Sequence, residues 1–388
     1  MVQHPGSVDE RAIALLNDLI AIASVNPVFD AESTGEVNIA DYIETRCTSW
    51  GLDVERQEVL PGRPNVVIRL SVPGAQQTML LETHMDTVAL EPMGAGGLHP
   101  VLDSGAVHGR GACDAKGSLA AMMLAIEALV SRRRELSTNV VLLAAADEEY
   151  KFRGVLKFIE TGERVTAAVV GEPTDLRIVV AHKGCVRFRL TAHGRAAHSS
   201  QPDSGHNAIA MMATVVLALE RAALEFRKLS HPLVGPPTLS IGRIWGGRGV
   251  NTVPDQCVVE VDRRLVPGET AIDALREIDA AISALGLHVT RDEPFVTTPT
   301  LDTPIDSVVV AAAQSACRAA GIVDALTGAS YGSDASKLWA YAHVPSIVLG
   351  PGAIADAHTS NEHVRVRDVA LAATIYEDIA LLLGESMR

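Results

Sequence analysis

Side chains of the types that bind metal ions follow three apolar runs of the sequence, at the point where each run ends. His84 and Asp86 follow one run, Glu172 follows another, and an Asp-Glu-Glu triplet at 147–149 follows a third. In an open α/β sheet, ligands bind beyond the carboxyl ends of the strands, so residues that end neighbouring strands meet at one edge. Imidazole and carboxylate groups bind divalent metal ions. The spacing therefore favours a metal site.

Two further residues of these types lie near a helix start and a strand end. Asp114 precedes a helical stretch, and His358 lies just past a strand that ends at Gly350. Taken singly, Asp114 suits a helix N-cap, acids before a helix complement its dipole, and a histidine in a strand is commonly a core residue. Together with the two histidines there are six acids at one edge, and these would repel one another as carboxylates unless cations neutralised them. Together they predict two divalent metal ions.

Apolar runs and amphipathic stretches alternate in the first half of the sequence. The apolar runs cover residues 65–72, 78–83, 139–146 and 165–170. The helical stretches lie near residues 10–24, 36–50, 115–134 and 152–161. Runs that are apolar at consecutive positions predict strands that are buried on both faces. The alternation therefore predicts an α/β fold, with a mostly parallel central sheet and helices on both faces.

The pattern changes between residues 184 and 294. Strand, helix, strand, strand, helix and strand follow one another at 185–193, 206–228, 237–244, 256–263, 269–284 and 287–292. This order predicts a ferredoxin-like α+β domain. The helix and strand alternation returns from residue 295, with a further buried strand at 345–349. We therefore predict a di-metal domain formed by 1–183 and 295–388, with a second domain, 184–294, inserted into it.

Composition excludes several classes of protein. The chain has 388 residues, of which 47% are hydrophobic, enough for one large core and a second domain. Its net charge of −14 disfavours nucleic acid and anionic membranes as partners. Residues 1–23 carry acids rather than a basic leader, and the apolar stretch 119–130 is too short to span a bilayer. Five scattered cysteines suit a reducing compartment, so the sequence predicts a cytoplasmic protein.

Seven motifs give the sequence a family resemblance. They are, in chain order, His84-Met85-Asp86-Thr87-Val88, Gly109-Arg110-Gly111-Ala112-Cys113-Asp114-Ala115-Lys116-Gly117, Asp147-Glu148-Glu149, Gly171-Glu172-Pro173-Thr174, Gly194-Arg195-Ala196-Ala197-His198-Ser199, Asn251-Thr252-Val253-Pro254, and Gly350-Pro351-Gly352 with Ala357-His358-Thr359-Ser360-Asn361-Glu362. The chain resembles the zinc-dependent amidohydrolases and exopeptidases that include acetylornithine deacetylase, succinyl-diaminopimelate desuccinylase, aminoacylase and the glutamate carboxypeptidases. Ala89 departs from the pattern, because the first motif usually continues with proline there.

The resemblance implies how the cluster would bind metal. Asp114 would bridge two zinc ions per chain, with one carboxylate oxygen serving each ion. His84 and Glu172 would complete the first site, and Glu149 and His358 would complete the second. Cobalt could substitute for zinc, because oxygen and imidazole ligands suit both ions.

The resemblance also assigns catalytic roles to two neighbouring acids. Asp86 would accept the second ring N–H of His84 and so orient that ligand. Glu148 would take a proton from the attacking water and pass it to the leaving amine. Cys113 lies beside the bridging aspartate, but the family's ligands are oxygen and nitrogen donors, so we expect its thiol to be packed.

Three residues of the inserted domain complete the expected site. His198 would reach across a homodimer formed by the inserted domains and donate to the oxyanion in the partner's active site. Asn251 and Arg264 would bind the substrate carboxylate, a task for which an arginine fork is suited. The inserted domain would thus act as a lid and as a dimerisation domain.

The substrate expected from the resemblance is a small N-acyl amino acid. Similarity to acetylornithine deacetylase in Tyr331-Gly332-Ser333-Asp334-Ala335 favours release of acetate from an N-acetylated basic amino acid, a step of arginine biosynthesis. Desuccinylation and dipeptide or carboxypeptidase cleavage remain open as reactions of the same chemistry. A metal-free binding homologue is a different class, against which the complete ligand set argues. A nucleotide-binding protein is disfavoured because no Gly-x-Gly-x-x-Gly or Walker loop follows the first strand.

Overall fold

The computed structural model describes residues 7–385 of the chain. By their internal contacts these residues divide into two compact units. Unit 1 is the described part of Met1–Val180, Thr303–Thr327 and Ser333–Arg388, and unit 2 is Ala181–Asp302 with Gly328–Gly332. The prediction of no secretion leader rests partly on residues 1–6, which lie outside the described residues. Within residues 7–385 no helix is both long enough and apolar enough to cross a membrane.

The helices and strands alternate along the described residues. The helices are α1 (Val8–Ala21), α2 (Val37–Ser49), α3 (Lys116–Ser131), α4 (Arg153–Glu160), α5 (Ala208–Phe226), α6 (Ala271–Ser283), α7 (Val308–Ala319), α8 (Ala335–Ala342) and α9 (Val366–Glu385). The strands are β1 (Asp53–Leu60), β2 (Arg63–Leu70), β3 (Thr78–His84), β4 (Val101–Asp103), β5 (Ala106–His108), β6 (Asn139–Ala145), β7 (Ala167–Val170), β8 (Ile178–His182), β9 (Gly184–His193), β10 (Ala197–His198), β11 (Thr238–Gly246), β12 (Thr252–Val253), β13 (Gln256–Leu265), β14 (Val289–Arg291), β15 (Val296–Thr298), β16 (Leu301–Asp302), β17 (Leu326–Ala329), β18 (Ser346–Val348) and β19 (His363–Arg365). Two short 3-10 helices span Gly94–Leu98 and Pro202–Ser204.

The central sheet of unit 1 confirms the α/β class. Its strands lie in the order β1-β2-β6-β3-β7-β18, with β8 next to β18. Pairing is parallel among β6, β3, β7 and β18, whereas β1, β2 and β8 are joined antiparallel. The sheet is therefore mixed, and the parallel pairing that the sequence predicts is confined to its centre. Those central strands are buried on both faces, where helices cover them.

Burial of the central strands shows that both faces of the sheet are covered. Every residue of β7, and every residue of β3 and β6 after the first, is buried. Side chains alternate between the two faces of a strand, so uninterrupted burial requires cover on both sides. Helices α3 and α9 pack together with α1 and α7, and α4 and α8 form another pair that contacts the sheet. The predicted two-sided cover is confirmed.

Unit 2 has the element order that the sequence predicts. Strand β9, helix α5, strands β11 and β13, helix α6 and strand β14 follow one another. The strands lie in the order β11-β13-β9-β14 and pair antiparallel, while β15 adds to β9. Helices α5 and α6 pack together and against this sheet. The ferredoxin-like fold is confirmed; the lid and dimerisation roles stay predictions.

The chain leaves unit 1 and returns to it at neighbouring points. Unit 1 ends its first part at Val180 and resumes at Thr303. The backbone N–H of Thr303 donates to the carbonyl of Val180 at 2.8 Å. The two ends of unit 1 at the junction are therefore hydrogen-bonded to each other.

Candidate metal centre

The strand order brings the carboxyl ends of β6, β3 and β7 to one edge of unit 1. Strand β3 lies between β6 and β7 and is parallel to both. His84 is the last residue of β3, the 147–149 triplet follows β6, and Glu172 follows β7. The topology therefore places the strand-end residues next to one another, as expected, because adjacent parallel strands end side by side.

Asp114 lies at the centre of the resulting cluster. Its Oδ1 is 3.1 Å from His84 Nε2, and its Oδ2 is 3.1 Å from His358 Nε2. His358 Nε2 is also 3.1 Å from Glu149 Oε1, and His84 Nε2 is 3.9 Å from Glu172 Oε2. The structure therefore brings all five predicted ligands together, with each Asp114 oxygen facing a different histidine.

The backbone at Asp114 is fixed by a buried ion pair behind the cluster. The N–H groups of Cys113 and Asp114 donate to Glu362 Oε1 at 3.2 and 3.1 Å. The other oxygen of Glu362 pairs with the guanidinium of Arg110, which also donates to the carbonyl of Ala89 at 2.9 Å. Glu362 and Arg110 lie in the sequence motifs, but the motifs alone gave them no role.

The Asp86 carboxylate holds the 147–149 loop, while the carbonyl oxygen of Asp86 lies closer to the His84 ring than the carboxylate does. His84 Nδ1 lies 2.8 Å from the carbonyl oxygen of Asp86 and 3.6 Å from its carboxylate Oδ1. The Asp86 carboxylate accepts the backbone N–H of Glu148 at 3.0 Å and that of Glu149 at 3.2 Å. The Asp86 carbonyl lies close to the His84 ring because the two residues are only two positions apart at the end of β3. The Asp86 carboxylate reaches the loop that follows the neighbouring strand, β6.

A buried polar network that the sequence did not indicate continues behind this loop. Asn26 donates to the carboxylates of Asp86 and Asp147 at 2.8 and 3.0 Å. Glu36 accepts the backbone N–H of Asp147 at 2.9 Å and pairs with Arg63 at 2.5 Å. These residues come from distant parts of the chain, so no local spacing could have joined them; Asn26 before a proline reads as an ordinary turn.

The electrostatics of the cluster reflect several carboxylates held close together. Burial raises the pKa of both Glu148 and Glu172 well above the usual range, and it raises that of Glu149. Burial alone would lower the pKa of His84, but hydrogen bonding to Asp114 holds it well above its ordinary value. Hydrogen bonds to the Asp114 and Glu149 carboxylates raise the pKa of His358 to about 10. Bound cations would offset the negative charge of these carboxylates.

The donor set fits divalent metal ions. Two groups of possible ligand atoms are close enough together to hold an ion: His84 with Asp114 and Glu149, and His84 with Glu148 and Glu172. Imidazole nitrogens and carboxylate oxygens are the donors that zinc and cobalt accept. Glu148, predicted as the base, is thereby placed among possible ligands as well. His358 is half exposed, so the cluster reaches solvent on that side.

The thiol beside Asp114 is packed, as expected. Cys113 is buried, and its Sγ donates to the carbonyl of Ala353 at 3.3 Å. Burial raises the pKa of this thiol, which disfavours the thiolate form that binds metal.

The three predicted site residues of the inserted domain belong to unit 2. His198 is exposed, and its Nδ1 lies 2.7 Å from Ser200 Oγ. Asn251 lies beside it, because its carbonyl accepts the N–H of Ser199 at 3.0 Å. The Arg264 guanidinium is partly exposed, with Nε 2.9 Å from an oxygen of Asp262. Their roles toward a substrate stay predictions.

A cluster of carboxylates and imidazoles at the carboxyl edge of a central α/β sheet is the architecture of a metal-dependent hydrolase. The chain belongs to the peptidase family M20/M25/M40, whose model matches residues 80–382. The family identifies the protein as a metal-dependent hydrolase of linear amide bonds.

Two relatives that are similar to this chain in sequence are named for different reactions. The chain is 30% identical over 351 residues to an acetylornithine deacetylase of Myxococcus xanthus, covering 86% of this chain and 88% of the relative. It is 30% identical over 399 residues to a probable carboxypeptidase of Aspergillus terreus, covering 96% of this chain and 86% of the relative.

Two solved structures share the fold. A tripeptidase of Staphylococcus aureus superimposes with a TM-score of 0.78 at 22% identity, covering 97% of this chain and 99% of that chain. A dinuclear metal binding peptidase of Bacillus subtilis does so with a TM-score of 0.72 at 16% identity, covering 98% and 99%. At such identity the likeness establishes the fold alone.

Proposed function

We propose that the protein is a di-zinc amidohydrolase that removes the acyl group from an N-acyl amino acid. The observation that carries the proposal is the position of Asp114, whose two carboxylate oxygens each lie 3.1 Å from a different histidine. This is the placement that a carboxylate bridging two ions requires. In the proposal His84 and Glu172 complete one site and Glu149 and His358 the other, and cobalt can substitute for zinc.

In the proposed reaction Glu148 moves the proton. Bound divalent ions would supply Lewis acidity that polarises the scissile carbonyl and lowers the pKa of water. Glu148 accepts a proton from the attacking water and delivers it to the leaving amine nitrogen. Its burial raises the pKa of the carboxyl group, which suits a residue that holds a proton between two steps. Asp86 fixes the main chain at Glu148, so the base keeps its place while it changes charge.

Residues of unit 2 complete the proposal. Arg264 and Asn251 bind the substrate carboxylate, and His198 donates to the oxyanion in the active site of a partner subunit. The partner is a second copy of this chain, bound through unit 2. Strand β11 supports this, because it is an edge strand of its sheet and exposes Ile244 and Trp245, and unpaired edges favour strand pairing between chains.

The proposed substrate is an N-acetylated basic amino acid such as N-acetylornithine, which would give acetate and the free amine. The Myxococcus xanthus relative, an acetylornithine deacetylase, supports this choice. The Aspergillus terreus relative, a probable carboxypeptidase, supports peptide cleavage as the second candidate, and desuccinylation stays with it as a reaction of the same chemistry. We place the protein in the cytoplasm; all five cysteines are buried free thiols, as that compartment favours.

A hydrolysis screen with defined metal content tests the proposal. The full-length protein is stripped with a chelator, reloaded with zinc or cobalt, and assayed on N-acetyl-L-ornithine, N-succinyl-diaminopimelate, N-formyl amino acids and dipeptides. We expect two ions per chain by mass spectrometry and the highest kcat/KM on the N-acetyl amino acid. A preference for dipeptides would replace the substrate assignment, and a chain that binds no metal would overturn the proposed function.

A further inference from the structure

The side-chain amide of Asn26 lies between two buried carboxylates of unit 1. Its Nδ2 is 2.8 Å from Asp86 Oδ2 and 3.0 Å from Asp147 Oδ1, and its Oδ1 accepts the backbone N–H of Val28 at 3.2 Å. Asn26 itself has no exposed surface. Carboxylates only accept hydrogen bonds, so both amide hydrogens must point at them, which fixes the orientation of the amide.

The two carboxylates that Asn26 joins hold the 147–149 loop from both sides. Asp86 accepts the backbone N–H groups of Glu148 and Glu149. Asp147 begins the loop in a left-handed conformation, with a φ of 64°, and its carboxylate pairs with Arg153 at 2.5 Å. Asp147 is also paired with Arg153 and with Arg63, whose Nη2 lies 3.3 Å from its Oδ1. Asn26 differs from these arginines because its side chain donates to both Asp86 and Asp147, so it links the two carboxylates that hold the loop.

An amide is suited to this position by its chemistry. A single NH₂ group offers two donors to two acceptors and adds no charge. A carboxylate would add a third negative group, and an alkyl side chain would remove one donor from each of two buried carboxylates, which is costly in a buried network.

The backbone around Asn26 is also tied to the end of β3. The N–H of Asn26 donates to the carbonyl of Thr87 at 2.9 Å, and the N–H of Thr87 donates to the carbonyl of Ser24 at 3.0 Å. The Ser24 hydroxyl donates to the carbonyl of Met85 at 2.8 Å. The amide is thus held rigidly against the strand that carries His84.

We propose that Asn26 is a positioning residue of the metal centre: it locks the carboxylates of Asp86 and Asp147, and through them it sets where Glu148 and Glu149 stand. This inference rests on the proposed di-metal function. It predicts that a change at a residue outside the ligand set alters the affinity of the site to which Glu149 belongs and the rate of the step in which Glu148 acts.

The test compares Asn26→Ala and Asn26→Asp with Asn139→Ala. Asn139 is a matched control, because it accepts one hydrogen bond from Val72 at 2.8 Å at the start of β6, the end away from the cluster. Zn²⁺ is titrated into each metal-free protein by calorimetry, kcat and KM are measured after loading, and thermal unfolding of the metal-free protein checks folding.

We expect Asn26→Ala to lose about 10–100-fold in affinity for the second ion or in kcat, with KM changed less than about 3-fold. At pH 8, Asn26→Asp should lose more Zn²⁺ affinity or kcat than Asn26→Ala. Aspartate preserves the size of the side chain, but it replaces the donor with a third carboxylate. Asn139→Ala should match the wild type. In an Asp86→Ala background, Asn26→Ala should add less than about 2-fold, because the two residues act through one network.

Several results would overturn the inference. Wild-type Zn²⁺ affinity and kcat in Asn26→Ala would do so. A smaller loss of affinity or kcat in Asn26→Asp than in Asn26→Ala would also do so. The third such result is a double variant in which the losses of Asn26→Ala and Asp86→Ala multiply in full. If Asn26→Ala does not fold, Asn26→Ser, which keeps a single donor, carries the same comparison. A wild-type protein that takes up no Zn²⁺ would overturn the proposed function and this inference together, whereas wild-type uptake with unaltered Asn26 variants overturns the inference alone.

Discussion

The carboxylate of Asp86 accepts the backbone N–H of Glu148 at 3.0 Å. An acid two residues beyond His84, the histidine proposed as a metal ligand, thus fixes the main chain of the residue proposed as the base. Strand β3 and the loop after β6 are neighbours at the carboxyl edge of the sheet, so one short side chain spans them. The placement of the ligands and that of the base are therefore not independent.

We expect Asp86→Ala and Asp86→Asn to lose about 10–100-fold in metal affinity or in kcat. Asparagine should be no better than alanine, because its NH₂ group would face the N–H donors of Glu148 or Glu149. Calorimetric Zn²⁺ titration and steady-state kinetics measure the two effects. An Asp86→Asn variant with wild-type affinity and rate would remove the carboxylate from the site.

Glu148→Gln should lower kcat by about 10²–10⁴-fold while two metal ions stay bound, because glutamine cannot transfer the proton. Glu149→Gln is the comparison: it should lower occupancy of the second site, since Glu149 lies 3.1 Å from His358 in the ligand set. Metal content by mass spectrometry and kcat are measured on both variants. Loss of an ion from Glu148→Gln would instead assign Glu148 as a ligand, an arrangement that its proximity to His84 and Glu172 allows.

The strand-end cluster could be predicted because the central strands are apolar at consecutive positions, so their ends and the polar residues after them are unambiguous. Strand β1 was missed because it is an edge strand with mostly exposed, charged residues, and tertiary pairing with β2 rather than apolar content defines it. Asn26 and Glu36 were missed for another reason. A hydrogen bond to a residue more than 100 positions away leaves no spacing pattern in the sequence.

The role of Asp86 shows a finer limit of sequence reasoning. The motif correctly places an acid beside His84, and both are buried together. The path of the backbone after β3 decides which Asp86 oxygen lies nearest the imidazole. It places the carbonyl oxygen of Asp86 2.8 Å from His84 Nδ1. Residue type alone does not distinguish a carbonyl acceptor from a carboxylate acceptor in the same residue.

Removal of the buried Glu362 carboxylate should destabilise unit 1. Glu362→Ala leaves the Arg110 guanidinium, which is 1% exposed, without its anion, so we expect a loss of about 3–5 kcal/mol in the free energy of unfolding. Zn²⁺ affinity should fall as well, because Glu362 fixes the N–H of Asp114. Glu160→Ala removes the exposed partner of Lys157 and should cost less than about 1 kcal/mol. Urea unfolding of the metal-free proteins measures both, and equal losses would contradict the assignment.

The stability of the metal-free protein should vary with pH because of the Asp334 carboxyl group. Burial raises the pKa of this carboxyl group to about 6, although Lys337 Nζ lies 3.7 Å away. Because the folded pKa is raised, this carboxyl group weakens folding progressively as the pH rises from about 4 to 6 and remains unfavourable above that range.

Asp334→Asn removes this dependence. The difference in free energy of unfolding between Asp334→Asn and the wild type should shift in favour of the variant by about 1 kcal/mol between pH 5 and pH 7. Urea titrations in a chelator at several pH values measure it. Asp306→Asn, the same substitution at an exposed position, is measured alongside as the control. A difference for Asp334→Asn that stays constant between pH 5 and pH 7 would contradict the prediction.

The proposed role of His198 in a partner subunit can be tested by subunit mixing. Inactive His198→Ala subunits mixed with inactive Glu148→Ala subunits should regain activity, because the chain that keeps Glu148 then receives an intact His198. With random exchange half the dimers are mixed and each has one competent site, so about a quarter of wild-type activity should return. Absence of recovery, once mass measurement confirms mixed dimers, would show that His198 acts within its own chain or not at all.

The hydrogen bond between Val180 and Thr303 has an evolutionary consequence. Residues 181–302 leave and rejoin the hydrolase core at two adjacent antiparallel positions, and a turn of about two residues is enough to connect such neighbours. Residues 181–302, which form most of unit 2, are therefore a segment that can be replaced at a single junction, whereas Gly328–Gly332 enters unit 2 separately. The same point is where chimeras between relatives should be joined.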